Sequence, residues 1–95
     1  MRIAGREKLE MFTLKHAAAK KPLGVWLALV EREDWRCPQD IKNLYRSVDF
    51  LSGNRVVFNI GGNNFRLVVV VRYMASVVMI DRIGTHSEYS KWKLE

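Results

Sequence analysis

The stretch Arg55-Val56-Val57-Phe58-Asn59-Ile60-Gly61-Gly62-Asn63-Asn64-Phe65-Arg66-Leu67-Val68-Val69-Val70-Val71-Arg72-Tyr73 decides the fold. Val56, Phe58 and Ile60 alternate with Arg55, Val57 and Asn59, which is the period of two that a strand imposes. Gly61 to Asn64 is a hairpin signal, because Gly and Asn accept the positive φ of a tight turn. The return strand alternates as well, with Phe65, Leu67, Val69, Val71 and Tyr73 against Arg66, Val68, Val70 and Arg72. With Gly62-Asn63 as a two-residue turn, Ile60 faces Phe65, Asn59 faces Arg66 and Phe58 faces Leu67. The large apolar side chains then share one face, and Asn59, Arg66, Val57, Val68, Val70 and Arg72 share the other. A one-residue slip would mix the two sets and bury Arg66, so the pattern favours this register.

Downstream, a turn near Met74-Ala75-Ser76 leads into a third strand, about Val77 to Ile83. A three-residue turn would place Arg82 and Gly84 on the Arg66 face; a two-residue turn would place Asp81 and Ile83 there. The first is preferred because it keeps Arg82 out of the core, although it sets Asp81 on the apolar side. Upstream, the period changes. Leu9, Phe12, His16 and Ala19 form an apolar stripe on a helix from about Arg6 to Lys20. Lys20-Lys21-Pro22 should end it, since the residue before Pro is pushed out of the α region. Pro22 can then open a second helix, in which Leu23, Trp26, Leu27 and Val30 form the buried stripe and which fades at Glu31-Arg32-Glu33-Asp34. From Trp35 to Asn54 a short helical turn is expected at Asp40 to Tyr45, with Ile41, Leu44 and Phe50 as anchors. Met1 to Ala4 is a candidate further strand. The expected architecture is α+β, in the order β-α-α-β-β-β. Two antiparallel helices pack on one face of a curved, mainly antiparallel sheet, as a single domain over residues 1–95.

Composition bounds the function. The chain has 95 residues and a formal net charge of +6, which favours polyanionic partners such as nucleic acid, a ribosome or an acidic protein. Asn54 to Ile80 contains Arg55, Arg66 and Arg72 and no carboxylate, so one face of that sheet should be uniformly positive. Unbroken apolar runs such as Leu67 to Val71 are too short to span a bilayer, and Met1 to Glu7 lacks the apolar core of a secretory signal. The single Cys37 gives no internal disulfide and fits a reducing cytosol. A soluble cytoplasmic protein is expected.

Few residues are arranged for chemistry. Cys37, His16 and His86 have neither the number nor the spacing of zinc ligands, and no other cofactor motif is present, so no metal or cofactor is expected. Gly61-Gly62 lacks the Lys-Ser/Thr of a phosphate-binding loop. His16 falls within the apolar stripe and reads as a boundary histidine. Two features remain. Asn59, Arg66 and Arg72 form a donor set suited to phosphate oxygens. Gly84-Thr85-His86-Ser87-Glu88-Tyr89, followed by Lys91 and Trp92, places a histidine just after the last strand, and histidine is the side chain that changes charge near neutral pH.

These segments carry a resemblance. Arg55 to Val68 resembles the central hairpin of the HigB family, toxins of bacterial type II toxin–antitoxin modules. Gly84-Thr85-His86-Ser87-Glu88-Tyr89 resembles that family's closing Gly-Thr-His-x-Glu-Tyr segment. Asp34 to Lys42, and Arg46-Ser47 with Phe50-Leu51, are similar to its connecting region. The resemblance implies a RelE/ParE-like fold and a ribosome-dependent mRNA interferase. It also implies neutralisation by a HigA-type antitoxin with a helix-turn-helix domain, through which alone the toxin would meet DNA. Arg66 matches the arginine that follows the hairpin turn, His86 a catalytic His or Arg, and Tyr89 an aromatic near the site. Asn59 stands where some relatives carry a basic residue, and Ser90 where an Asp is common. Neither Asn nor Ser can serve as a general base.

The expected reaction is metal-independent cleavage in which the ribose 2′-hydroxyl attacks the adjacent phosphorus. Arg66, with Arg72 or Arg82, would stabilise the transition-state charge, and His86 would protonate the departing 5′-oxygen. Tyr89 would orient the scissile nucleotide, while Asn59 and Lys91 would join the arginines in holding RNA. Two other readings stay open: a ParE-like toxin that inhibits DNA gyrase through protein contacts, and a non-catalytic module that binds RNA or protein.

Overall fold

The computed structural model describes residues 1–93. Strand β1 (Arg2–Ala4) leads into helix α1 (Arg6–Lys15), a 3-10 turn at Ala17–Ala19 and helix α2 (Lys20–Arg32). Helix α3 (Pro38–Leu44) follows, then strands β2 (Asp49–Leu51), β3 (Arg55–Ile60), β4 (Phe65–Arg72) and β5 (Val77–Thr85), and a last single-turn helix α4 (His86–Tyr89). The five strands form one sheet in the order β1-β5-β4-β3-β2. The β1–β5 pair is parallel and the other pairs are antiparallel. The α+β class and the helix-then-hairpin order stand as expected, and α3 forms the short helical turn expected at Asp40 to Tyr45, starting two residues earlier; β2 and α4 enlarge the plan.

The first hairpin has the expected register. Ile60 faces Phe65, Asn59 faces Arg66 and Phe58 faces Leu67. Gly61 and Gly62 take φ values of 62° and 67°, and the Asn64 amide donates to the Gly61 carbonyl at 3.2 Å. The apolar face meets the helices. Phe58 is fully buried, with Trp26 at 5.4 Å, Trp35 at 6.1 Å and Tyr45 at 5.1 Å between ring centroids. Leu23, Trp26 and Val30 of α2 are buried as their spacing demands, and an Arg6–Glu31 ion pair ties α1 to α2.

Several expectations are corrected. The first helix does not run to Lys20. It breaks at His16, which leaves helical geometry at φ −130° and ψ 77°. There the imidazole stacks on Phe12, 4.4 Å away, and meets the edge of Phe65 at 6.0 Å. Lys20 and Lys21 belong to α2 instead. Pro22 sits in its first turn, where a missing N–H costs no intrahelical bond. In the connecting segment, Ile41 is buried, but Leu44 and Phe50 are exposed. Trp35 and Val48 fill the core in their place. Phe50 lies in β2, an edge strand paired with β3, where alternation over three residues is too short to read.

Both registers considered for the second hairpin occur. Next to the turn, Arg72 faces Val77 and Val69 faces Ile80; beyond Asp81, Val68 faces Arg82 and Arg66 faces Gly84. A β-bulge absorbs Asp81 and shifts the ladder by one residue. Arg82 and Gly84 thus reach the Arg66 face without forcing Asp81 into the core. That outer face is not simply a solvated positive surface. Val57 and Val68 are 1% and 0% exposed on it, and Arg66 is 9% exposed. The register kept Arg66 off the helix side, and burial reached it from the other side.

Candidate active site

The site is built where the first hairpin turn meets α4. Asn63 and Asn64 occupy the turn, and their adjacent backbone carbonyls hold two different groups. Asn63 accepts from Nη1 of Arg66 at 3.0 Å, and Asn64 accepts from the backbone N–H of His86 at 3.0 Å. Arg66 Nη1 also donates to the Phe65 carbonyl at 3.3 Å. Both bonds use Nη1, and among the described residues the Nε–Nη2 edge of the guanidinium fork makes no hydrogen bond. Among the described residues no carboxylate lies within ion-pair distance of Arg66; the ion pairs are Arg6–Glu31 and Arg36–Asp34. A buried, unpaired cation is expensive to keep unless something anionic is meant to meet it.

Around Arg66 the backbone assembles the other groups. Asn59 is its cross-strand neighbour on β3, half-buried, and Gly84 its neighbour on β5. The Tyr89 ring lies 5.8 Å from the guanidinium carbon, within cation–π range. His86 opens α4 and is exposed. Its place is fixed by a capping box, in which the Thr85 hydroxyl accepts from the Glu88 N–H at 3.2 Å. The Glu88 carboxylate in turn accepts from the Thr85 N–H at 2.8 Å. Ser90 closes the same helix, its hydroxyl donating to the His86 carbonyl at 3.1 Å. A hydroxyl committed there serves the local backbone.

Arg82 lies one row away on the same face, opposite Val68, with its guanidinium 5.0 Å from the centroid of the Trp92 ring. Lys91 is exposed just beyond α4. Tyr89 and Asn59 therefore adjoin Arg66, the His86 backbone is tied to the same turn, and Arg82 lies one row away on the face. Arg72 does not join them. It sits six residues along β4, opposite Val77, roughly 20 Å away at ~3.4 Å per residue. Among the described residues no three His, Cys, Asp or Glu side chains group as metal ligands. Among them, too, no helix is long and apolar enough to cross a membrane.

Sequence reasoning missed the turn carbonyls, which no side-chain pattern can reveal, and Trp92, whose indole packs against Gly84. The Gly-Thr-His segment held a readable clue to the second, because a glycine inside a strand often marks the close approach of another group.

Compared with family models, residues 19–92 match that of the HigB toxin, described as the RelE-like toxic component of a toxin–antitoxin system. The chain belongs to the HigB toxin family. It is the toxin half of such a module, and an antitoxin is therefore its partner. No curated protein matches the chain. The family match spans α2 to Trp92, so every residue of the Arg66 cluster lies inside it, whereas β1 and α1 lie outside.

Proposed function

We propose that this HigB-family toxin is a ribosome-dependent endoribonuclease that cuts mRNA by attack of the ribose 2′-hydroxyl on the neighbouring phosphorus. The observation that carries the reading is Arg66: a residue 9% exposed whose guanidinium is held by two carbonyls, with no carboxylate beside it among the described residues. A site built to neutralise a phosphate needs fixed positive charge that no internal anion has already consumed.

In the reaction, the 2′-hydroxyl releases its proton to solvent water as its oxygen bonds to phosphorus, and the bond to the 5′-oxygen breaks, giving a 2′,3′-cyclic phosphate and a 5′-hydroxyl. The Nε–Nη2 edge of Arg66 meets the charge that builds on the nonbridging oxygens. His86, exposed at the start of α4, gives the leaving oxygen its proton. Tyr89 supplies a ring beside the scissile nucleotide, and the Asn59 amide a neutral hydrogen-bonding group opposite Arg66. Arg82 and Lys91 hold flanking phosphates, and Arg72 contacts RNA at the far end of the sheet. Such a sparse set suits an enzyme whose substrate is already oriented by the ribosome, in the cytoplasm. A HigA-type helix-turn-helix antitoxin would neutralise it and provide its indirect link to DNA.

The test is controlled expression of wild type beside Arg66→Ala and His86→Gln, with mRNA 5′ ends mapped after growth arrest. Cleavage within translated codons should vanish in Arg66→Ala and fall at least about tenfold in His86→Gln. Growth arrest with intact mRNA and lost supercoiling would instead identify a gyrase inhibitor, and protection of ribosome-bound RNA a non-catalytic binder.

A further inference from the structure

Gly84 lies in β5 directly opposite Arg66. A Cβ at this position would stand 2.6 Å from Cζ2 and 2.8 Å from Cη2 of Trp92, closer than any real side chain packs. The glycine is therefore the seat of an indole. The same indole meets the Tyr89 ring at 5.8 Å with an interplanar angle of 76°, and Tyr89 in turn lies over Arg66. The Arg82 guanidinium lies over the same indole, 5.0 Å from its centroid. Helix α4 is a single turn, and a single turn does not hold itself. Its first residues are fixed by the capping box and the Asn64 carbonyl. The end that carries Tyr89 has Trp92 as its brace.

We propose that Trp92 is a positioning residue of this toxin: seated on Gly84, it holds Tyr89, and with it the end of α4, in place over the Arg66 guanidinium. The inference rests on the reading of the Arg66 cluster as an RNA-cleaving site. It assigns to Trp92 no contact with RNA. It explains why a side chain cannot replace Gly84 without displacing the site's aromatic wall, even though Gly84 offers no chemistry itself.

The test compares Trp92→Ala, Trp92→Leu, Trp92→Phe and Gly84→Ala as single variants, and Gly84→Ala combined with Trp92→Ala. Each is measured for single-turnover cleavage on programmed ribosomes, antitoxin binding, melting temperature and the NMR signals of Arg66 Nε–H and the Tyr89 ring. Trp92→Ala and Trp92→Leu should lower kcat by about a hundredfold with KM changed less than about twofold, as expected when a reacting group is displaced and the substrate still binds. Trp92→Phe should restore most of kcat, because a ring edge again meets Tyr89. Gly84→Ala should match Trp92→Ala, and the double variant should be no worse than either, since the added methyl then no longer meets the indole and has only Glu88 Oε1, 3.0 Å away at the end of a flexible side chain, to displace. Leu keeps the apolar bulk, so it reads the role of the ring even if the Ala variant folds poorly. Losses that track melting temperature and antitoxin binding across the series, additive effects of the two positions, or unmoved Arg66 and Tyr89 signals would each overturn the proposal. If wild type proves inactive on ribosome-bound mRNA, the cleavage reading falls, and displacement of those two signals still sustains the Trp92 brace. Wild-type cleavage by Trp92→Leu would remove the brace and leave the cleavage reading standing.

Discussion

Arg66 keeps a full charge almost out of water, with carbonyl oxygens as its only hydrogen-bond acceptors among the described residues. Its geometry matters as much as its charge, because one guanidinium nitrogen anchors the residue while the opposite edge stays open. A lysine cannot match this, since its three N–H donors radiate from one nitrogen and offer no second edge once that nitrogen sits at the turn carbonyls. Arg66→Lys should therefore fold and bind antitoxin normally yet cleave about a hundredfold more slowly, read by single-turnover cleavage on programmed ribosomes. A different residue tests the core. The Tyr45 hydroxyl is buried without a hydrogen-bond partner among the described residues, while its ring packs on Phe58. Burial, and secondarily the charge of Glu33, raise this phenol above its ordinary pKa of 10.0. The folded phenol thus holds its proton where the unfolded one has begun to lose it. Its contribution to stability is complete below pH 10.0 and is lost as pH climbs towards the folded value. Tyr45→Phe should flatten that alkaline fall in denaturation curves and, by removing an unpaired polar atom, stabilise the protein by about 1 kcal/mol at neutral pH.

At the scale of elements, α4 is the part of the site with the least material behind it. Its capping box joins Thr85 and Glu88 across its only turn. Thr85→Ala should cost the helix about 1 kcal/mol, and Thr85→Ser should restore it. Because α4 lies on the surface after the last strand, the expected signature is faster hydrogen exchange at Glu88 and roughly tenfold slower cleavage, with the global melting temperature nearly unchanged. How legible each element was follows from the same local physics. The β3–β4 hairpin could be read to the residue, because alternation and a Gly-Asn turn specify one register. The β4–β5 pairing could not, since a bulge at Asp81 satisfies two incompatible alternations in one strand. The helix break was misplaced because proline is the louder signal. His16 leaves the helix for its contacts with Phe12 and Phe65, a tertiary preference that no local propensity encodes. In the site, Arg66, His86 and Tyr89 were visible as residue types in a familiar order. The Arg66 guanidinium and the His86 backbone are tied to one turn through the Asn63 and Asn64 carbonyls, and backbone carbonyls leave no trace in sequence.

Across the whole molecule, the outer sheet face separates two tasks that the sequence had run together. Arg66 belongs to a compact cluster at the end of β4 where α4 begins. Arg72 lies at the other end, where it and Arg2 flank Val77 on adjacent strands, both exposed. On the proposed RNA-cleaving reading, two exposed arginines separated by two strand spacings, about 10 Å, and distant from Arg66 would act through the field and by direct phosphate contact. They have no means of stabilising a transition state some ~20 Å away. With a net charge of +6, association with a ribosomal substrate should weaken steeply as salt is raised. Arg2→Ala with Arg72→Ala should raise KM for programmed ribosomes, leave kcat at saturation unchanged and lower the magnitude of the salt-dependence slope by about one to two. Arg66→Ala should show the converse, with kcat abolished and most of the salt dependence retained. A fall in kcat in the double variant would mean that the far end of the sheet reaches the scissile phosphate after all. The ribosome would then have to bend the message along the whole outer face rather than present one nucleotide at the Arg66 end.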